Sequence, residues 1–286
     1  MKRVSARLLQ AIEASAIRGT EDHWKLVPPD LAKRLKTGTA HVGDAFMTML
    51  SGSEALRMNR VIGLGHRGQA NEQVIDEIVR RYHDARMKRF SLLLGPGPQM
   101  KQVARWLEAR RFARKPGLML LVRDARIPVP HEKAGLRIHR ASAVDRETIV
   151  RIHATCFATP PIRRSWNLVA AAARHHEHYL AFDGPKAIGV GTIRVDGDLA
   201  WLGGGAVLTR YRRRGAHRAL ILARLRRAAQ LGCRWVWVET AEPVKGRPDG
   251  SRRNLVRLGF QEVGVKPLYV WERDEVGSVS ARARLR

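Results

Sequence analysis

Gly203-Gly204-Gly205-Ala206-Val207-Leu208-Thr209-Arg210-Tyr211-Arg212-Arg213-Arg214-Gly215-Ala216-His217-Arg218-Ala219-Leu220 is the stretch on which the reading of this chain turns. Asp198-Leu199-Ala200-Trp201-Leu202, just before it, has the composition of a strand. After it, Ala219, Leu220, Leu222, Ala223, Leu225 and Ala228 recur at helical spacing until Gly232. A strand thus runs through a basic, glycine-containing turn into a helix. The first N–H groups of a helix opening at Gly215-Ala216 have no intrahelical acceptors, and the helix dipole places partial positive charge there. Arginines at 210, 212, 213 and 214 add to the field, and Gly215 lets the backbone approach a phosphate closely. The ligand expected is a diphosphate.

Val-x-x-x-Tyr-Arg-x-x-Gly-Ala, from Val207 to Ala216, resembles the acetyl-CoA-binding motif of the GCN5-related N-acetyltransferases (GNAT), Gln/Arg-x-x-Gly-x-Gly/Ala. Arg212 and Gly215 match it, and His217 stands where the family has its final small residue. An arginine-rich surface turn between a strand and a helix would give the same six residues. The order of elements around the motif decides between the two readings.

Residues 136–139 form a strand, followed by helices at 145–156 and 166–174 with Pro160-Pro161 between them. Strands at 179–182, 187–195 and 198–207 come next, with Val195-Asp196-Gly197-Asp198 as a hairpin turn. The motif helix, a strand at 234–240, a helix at 251–258 and two last strands complete a β-α-α-β-β-β-α-β-α-β-β order. That order is the one the resemblance implies.

The first half repeats the theme. After a helix over 1–20 and a short helix after Asp30, strands are expected at 45–50 and 57–64. A helix at 72–84, a strand at 90–94, a helix at 100–110 and a strand at 117–122 follow. Trp106–Asp124 echoes Asn254–Asp274, which points to an internal duplication. Where the second half has its basic turn, the first has Gly63-Leu64-Gly65-His66-Arg67-Gly68-Gln69, which does not reproduce the motif. The fold class expected is α/β (α+β). It consists of two GNAT-like domains, each a mixed, mostly antiparallel sheet flanked by helices. The expected boundaries are 1–127 for a degenerate copy that packs, dimerises or shapes a cleft, 134–275 for the acetyl-CoA-binding domain, and 276–286 for a basic tail.

The 286 residues, 44% of them hydrophobic, suffice for a real core. No apolar run reaches the roughly 18–20 residues that span a bilayer, and no signal-peptide block opens the chain. We read it as a cytoplasmic protein without a membrane partner. Two cysteines, Cys156 and Cys233, make neither a disulfide framework nor a zinc site. The net charge of +27 suits a polyanion, and nucleic acid is one partner it admits. The arginines are scattered through helices rather than grouped with aromatics, which favours a compositional origin. A homodimer is a further association open to the chain.

On the resemblance, acetyl-CoA is the acyl donor and lies in a V-shaped opening between the central strands. Gly205, Ala206 and Val207 would bind its pantetheine arm through their backbone. Arg213, Arg214, Gly215, Ala216, His217 and Arg218 would wrap the diphosphate with their amides. His217 fits if its ring points away and compromises the phosphate site if it points inward. The implied reaction is direct attack of a primary amine on the thioester, with no metal. It needs a base, donors for the oxyanion and an acid for the thiolate. Glu239, in Trp235-Val236-Trp237-Val238-Glu239-Thr240, matches the base of some members, and flanking tryptophans would raise its pKa. A strand-end carboxylate paired with an arginine is the equal alternative. The tyrosine acid of many members is replaced by Leu255, and their upstream asparagine by Pro248. Ser251 and Arg252 are the substitutes expected for cofactor contact, and Tyr269 or solvent for the acid. Cys156 and the His175-His176-Glu177-His178 run read as filler and as a solvated helix end.

Overall fold

The computed structural model describes residues 4–131, 135–157, 167–168, 171–173 and 175–273. In chain order these form α1 (Ala6–Lys25), α2 (Pro29–Leu35), β1 (Thr37–Val42), β2 (Ala45–Leu50), β3 (Arg60–Ile62), α3 (Glu72–Asp84), β4 (Arg89–Leu93), α4 (Met100–Ala109) and β5 (Ala113–Asp124). There follow β6 (Arg137–Arg140), α5 (Arg146–Phe157), β7 (His176–Asp183), β8 (Lys186–Asp196), β9 (Leu199–Val207), α6 (Ala216–Gln230), β10 (Trp235–Ala241), α7 (Gly250–Arg257) and β11 (Gln261–Glu272).

Two compact units result. The larger comprises Met1–Pro29 and Pro116–Lys266, the smaller Asp30–Lys115 and Pro267–Arg286. The sequence boundaries at 1–127 and 134–275 are contiguous, whereas each of these units takes chain from both halves. The reason is strand placement. β5, from the end of the first half, pairs antiparallel with β10 over Asp124↔Trp235 to Leu118↔Ala241. The last residues of β11 pair antiparallel with β4 over Leu268↔Leu93 to Glu272↔Arg89.

In the larger unit the strand order is β11-β5-β10-β9-β8-β7-β6. All of the pairings from β6 to β9 are antiparallel, and β9 pairs parallel with β10. Strand alternation sends one set of side chains to each face. Tyr179, Ala181, Ile193, Val236 and Val238 pack under α6 through its Leu220, Ile221 and Leu225. The opposite face takes Leu8 and Ile12 of α1 against Leu120, Val122, Leu199 and Trp237. It also takes Ile149 and Ile152 of α5 against Leu180 and Val190. Ser5 caps α1, its side chain accepting from Leu8 N–H.

The smaller unit has the order β1-β2-β3-β4-β11, antiparallel except for β3 with β4. Its core centres on Phe90, stacked on Tyr82 at 3.9 Å between ring centroids and edge-on to Phe112. The buried Tyr82 hydroxyl donates to Thr48 O at 2.8 Å.

Several elements differ from the sequence expectation. Thr37–Val42 is a strand, paired residue for residue with β2. The two expected last strands are one, Gln261–Glu272. His176 and His178 lie within β7 on one face, and not at a solvated helix end. The expected helix at 166–174 and the tail at 276–286 fall mainly or wholly outside the described residues. No helix among the described residues is long and apolar enough to cross a membrane.

Candidate active site

β9 and β10 pair only from Leu199↔Trp235 to Trp201↔Trp237. Beyond that point β9 continues with β8 alone and β10 with β5 alone, so the sheet splits. A bulge marks the split. The β8–β9 register jumps between Val190↔Ala206 and Thr192↔Gly203, leaving extra residues on β9. Glycine is required there. Gly204 has φ +58°, and a Cβ on Gly203 would lie 1.9 Å from the Trp201 ring.

Carbonyls freed by the bulge are met by Arg224 of α6, whose Nη1 donates to Thr192 O (3.0 Å) and Gly203 O (3.1 Å). Its Nε donates to Leu220 O at 2.8 Å. The guanidinium is fully buried, which pushes its pKa down to about 10, and it has no carboxylate partner among the described residues. On the other face His153 Nε2 donates to Gly204 O at 2.8 Å, and Thr192 shares a 2.9 Å hydrogen bond with His178 Nδ1.

After β9 a single 3-10 turn, Thr209–Tyr211, carries the chain through Arg213 (φ +64°) and Gly215 (φ +87°) into α6. The first helical bond of α6 is Ala219 N to Gly215 O. Ala216, His217 and Arg218 therefore present amides with no intrahelical acceptor. No side chain caps this end and no acid lies in its first turn. These amides open on a cavity of ≈ 1030 Å³. It is walled by Gly205, Ala206 and Val207 of β9, the 209–215 turn, Cys156 and Phe157 at the end of α5, and Ser251, Arg253, Asn254 and Arg257 of α7. Arginines 210, 212, 213, 218, 253 and 257 line it, and no carboxylate does among the described residues. The field inside favours an anion carrying several charges.

Most of the residues singled out in the sequence meet at this cavity: Gly205, Ala206, Val207, Arg213, Gly215, Ala216, His217, Arg218 and Ser251. Arg214 turns its side chain to Asp183 (3.3 Å), and Arg252 to Asp249 (2.7 Å). Neither lines the cavity. Leu255 is core, 2% exposed. Tyr269 belongs to the smaller unit's core, its hydroxyl donating to Glu108 Oε1 at 2.9 Å, and it is no acid for this site.

His217 points inward. Asn254 Nδ2 donates to its Nδ1 at 3.2 Å, and a Cβ on Gly205 would sit 3.4 Å from its Nε2. The ring lies against β9 at Gly205. Burial first, then the Arg224 charge, pushes its pKa down to about 4, and it is neutral at pH 7. Asn254 was not anticipated. The family tyrosine drew attention to position 255, whereas it is position 254 that α7 turns toward the cavity. Cys156 lies in the last turn of α5 with its thiol pushed up by burial.

Glu239 is not in the cavity wall. It is on the α1 face of β10, where its Oε1 accepts from Lys266 Nζ at 2.8 Å. Lys266 also donates to Glu13 Oε2 at 2.7 Å, and Glu13 is fully buried with Oε1 unpartnered. Burial works to lower the Lys266 pKa, but Glu13 and then Glu239 outweigh it and hold the ammonium above its usual range. The surroundings of Glu239 are ionic, with a lysine partner, and not the tryptophan-lined apolar pocket or arginine pair expected. No three His, Cys, Asp or Glu side chains among the described residues are placed to hold a metal.

The equivalent turn of the smaller unit is filled from within. Asp44, with its side chain fully buried, accepts from Gly65 N–H at 2.9 Å and Arg67 N–H at 3.0 Å, with His66 Nδ1 3.6 Å away. His66 Nδ1 donates to Gly63 O at 2.6 Å, and Gln99 binds Ala70 N–H and Ala70 O. α3 is capped by Asn71 and has Glu72 in its first turn. A carboxylate of the chain itself occupies the amides that a phosphate would need.

Residues 146–260 match the model of the acetyltransferase (GNAT) family, and the chain carries a domain of that family. Solved structures share the fold. A GCN5-related N-acetyltransferase from Kribbella flavida superposes with a TM-score of 0.62 at 14% identity, over 96% of this chain and 97% of that one. A tandem GNAT protein from the clavulanic acid biosynthesis pathway gives 0.59 at 16% identity, over 81% and 79%. A GCN5-related N-acetyltransferase from Sphaerobacter thermophilus gives 0.56 at 13%, over 80% and 81%. At such identities the likeness is one of fold. No curated protein matches the sequence.

Proposed function

We propose that the larger unit binds acetyl-CoA in the 205–257 cavity and transfers the acetyl group by direct attack of a primary amine on a small-molecule or peptide acceptor. The observation that carries this reading is the uncapped start of α6, opening on a cavity that among the described residues has six arginines and no acid, beside the unpaired edge of β9. Diphosphate on the 213–218 amides and pantetheine along Gly205–Val207 fit that arrangement. Glu239, on the α1 face of β10 beyond the point where β9 and β10 part, is the proposed base. Lys266 fixes its carboxylate. The proposed reaction uses no metal, and the proposed location is the cytoplasm.

A second reading, an acyl-CoA-binding protein without catalysis, is favoured by Leu255 and by the ion pair that holds Glu239. Titration with acetyl-CoA, followed by a screen of amine acceptors for thiol release, separates the two. At about a hundredfold over Kd the ligand should add roughly 2.7 kcal/mol, a rise of several degrees in Tm. Gly215→Glu should abolish the shift. Glu239→Gln should leave acetyl-CoA binding intact and lower kcat about 10²–10⁴-fold. Binding without thiol release across the screen would favour the second reading, and no binding would sink both. A partner role for nucleic acid or a second copy of the chain is not needed by this site.

A further inference from the structure

The β9 wall of the cavity runs from the phosphate turn back through Val207 and Ala206 to Gly205. A CoA whose diphosphate lies on the turn brings its sulfur to the Gly205 end. On the proposed function, on which this inference rests, the C–S bond breaks there. With leucine at 255, α7 carries no hydroxyl at that position, and its Ser251 sits one turn earlier, toward the start of the helix.

Two groups of α6 converge on this point. A Cβ on Gly205 would lie 3.4 Å from His217 Nε2 and 3.9 Å from Arg224 Nη2. An amide Nδ2 can only donate, so the Asn254 bond makes His217 Nδ1 an acceptor and places the ring proton on Nε2, the atom facing β9. Arg224 is buried, and its hydrogen-bond partners among the described residues are all neutral carbonyls. A buried cation normally has a counter-charge, and one without it stabilises any negative charge that forms beside it, with no reorganisation of the surroundings.

We infer that His217, oriented by Asn254 and backed by the Arg224 guanidinium, is the hydrogen-bond donor that stabilises the departing CoA thiolate. The amine nitrogen forms the C–N bond, and the C–S electron pair goes to sulfur. The proton shed by nitrogen passes to Glu239 and from there to solvent, and the thiolate takes one from solvent. His217 and Arg224 keep their protonation states throughout.

Calorimetric affinities for CoA and acetyl-CoA between pH 6.5 and 8.5 test this without a known acceptor. Stabilising the thiolate lowers the bound thiol's pKa below the free value of about 8.5 for an ordinary thiol. The affinity of CoA relative to acetyl-CoA should then rise about tenfold across that range. The other groups near this point are Arg218 on α6, Arg253 and Arg257 on α7, His153 and Cys156 on α5, Tyr179 on β7, and Tyr211 and Arg212 in the turn. The arginines among them also favour a thiolate, and because His217→Leu retains them all, the difference between parent and variant isolates the histidine's share. His217→Leu should flatten the ratio while acetyl-CoA still binds, and His217→Gln, which keeps a donor, should restore part of the rise. A flat ratio in the parent protein overturns the inference whether or not the variants fold, and so does a rise that survives His217→Leu. If the parent binds neither ligand, the proposed function itself falls and takes the inference with it.

Discussion

In the larger unit His178 is buried and His176 and His217 are half-buried, with their pKa values pushed down to about 4, 3 and 4, desolvation being the largest cause in each. Second to burial, His23 acts on His176, His153 on His178 and Arg224 on His217. The sign follows from linkage. Between about pH 4 and 6.5 the unfolded chain binds protons that the folded chain refuses, so stability rises with pH in that window and is lost on acidification. Each histidine should contribute on the order of 2 kcal/mol of loss between pH 7 and pH 5. Urea unfolding at the two pH values checks this. His217→Gln should remove one share of the loss. A midpoint that does not move between pH 7 and pH 5 would mean the three rings are hydrated in solution.

At the scale of elements, the bulge in β9 is what turns a sheet into a site. It frees Thr192 O and Gly203 O for Arg224, and it comes just past Trp201, the last residue at which β9 and β10 pair. Gly204→Val should destabilise by about 1–3 kcal/mol, since it forces a β-branched residue to φ +58°. Its Cβ would also come within 3.0 Å of His153 Nε2 and Thr192 Oγ1. Acetyl-CoA affinity should fall with it. Thermal unfolding and calorimetry on one preparation would decide, and unchanged values in both would remove the bulge from the argument. The glycine triplet carried no reading of its own in the sequence, and only the fold shows that a side chain there would meet Trp201, His153 and Thr192. α6 and its turn were legible because caps and spacing are local properties of the chain. Thr37–Val42 was not, since Thr-Gly-Thr-Ala lacks apolar alternation and becomes a strand only through its pairing with β2. Lys266 beneath Glu239 was invisible for the same reason: 27 residues separate partners that only the placement of β5 and β11 brings together.

For the molecule as a whole, the duplication legible in the echo of Trp106–Asp124 by Asn254–Asp274 does not imply two ligand sites. Each unit has a strand, a glycine turn and a helix in the same order, yet their anion turns differ in what meets the amides. In the larger unit Gly215 leads into open N–H groups and arginines. In the smaller, Asp44 makes two hydrogen bonds to the turn, and its side chain is fully buried. For a phosphate to enter, that carboxylate would have to leave, and an expelled Asp44 would need a new partner. Calorimetry should therefore give one acetyl-CoA per chain. Asp44→Asn keeps the shape but gives up the charge, and it should lower stability by about 1–3 kcal/mol while leaving that stoichiometry and the affinity unchanged. A stoichiometry of two in the parent would show the smaller unit to be a working site. A second site appearing only in Asp44→Asn would show that this carboxylate alone keeps it closed.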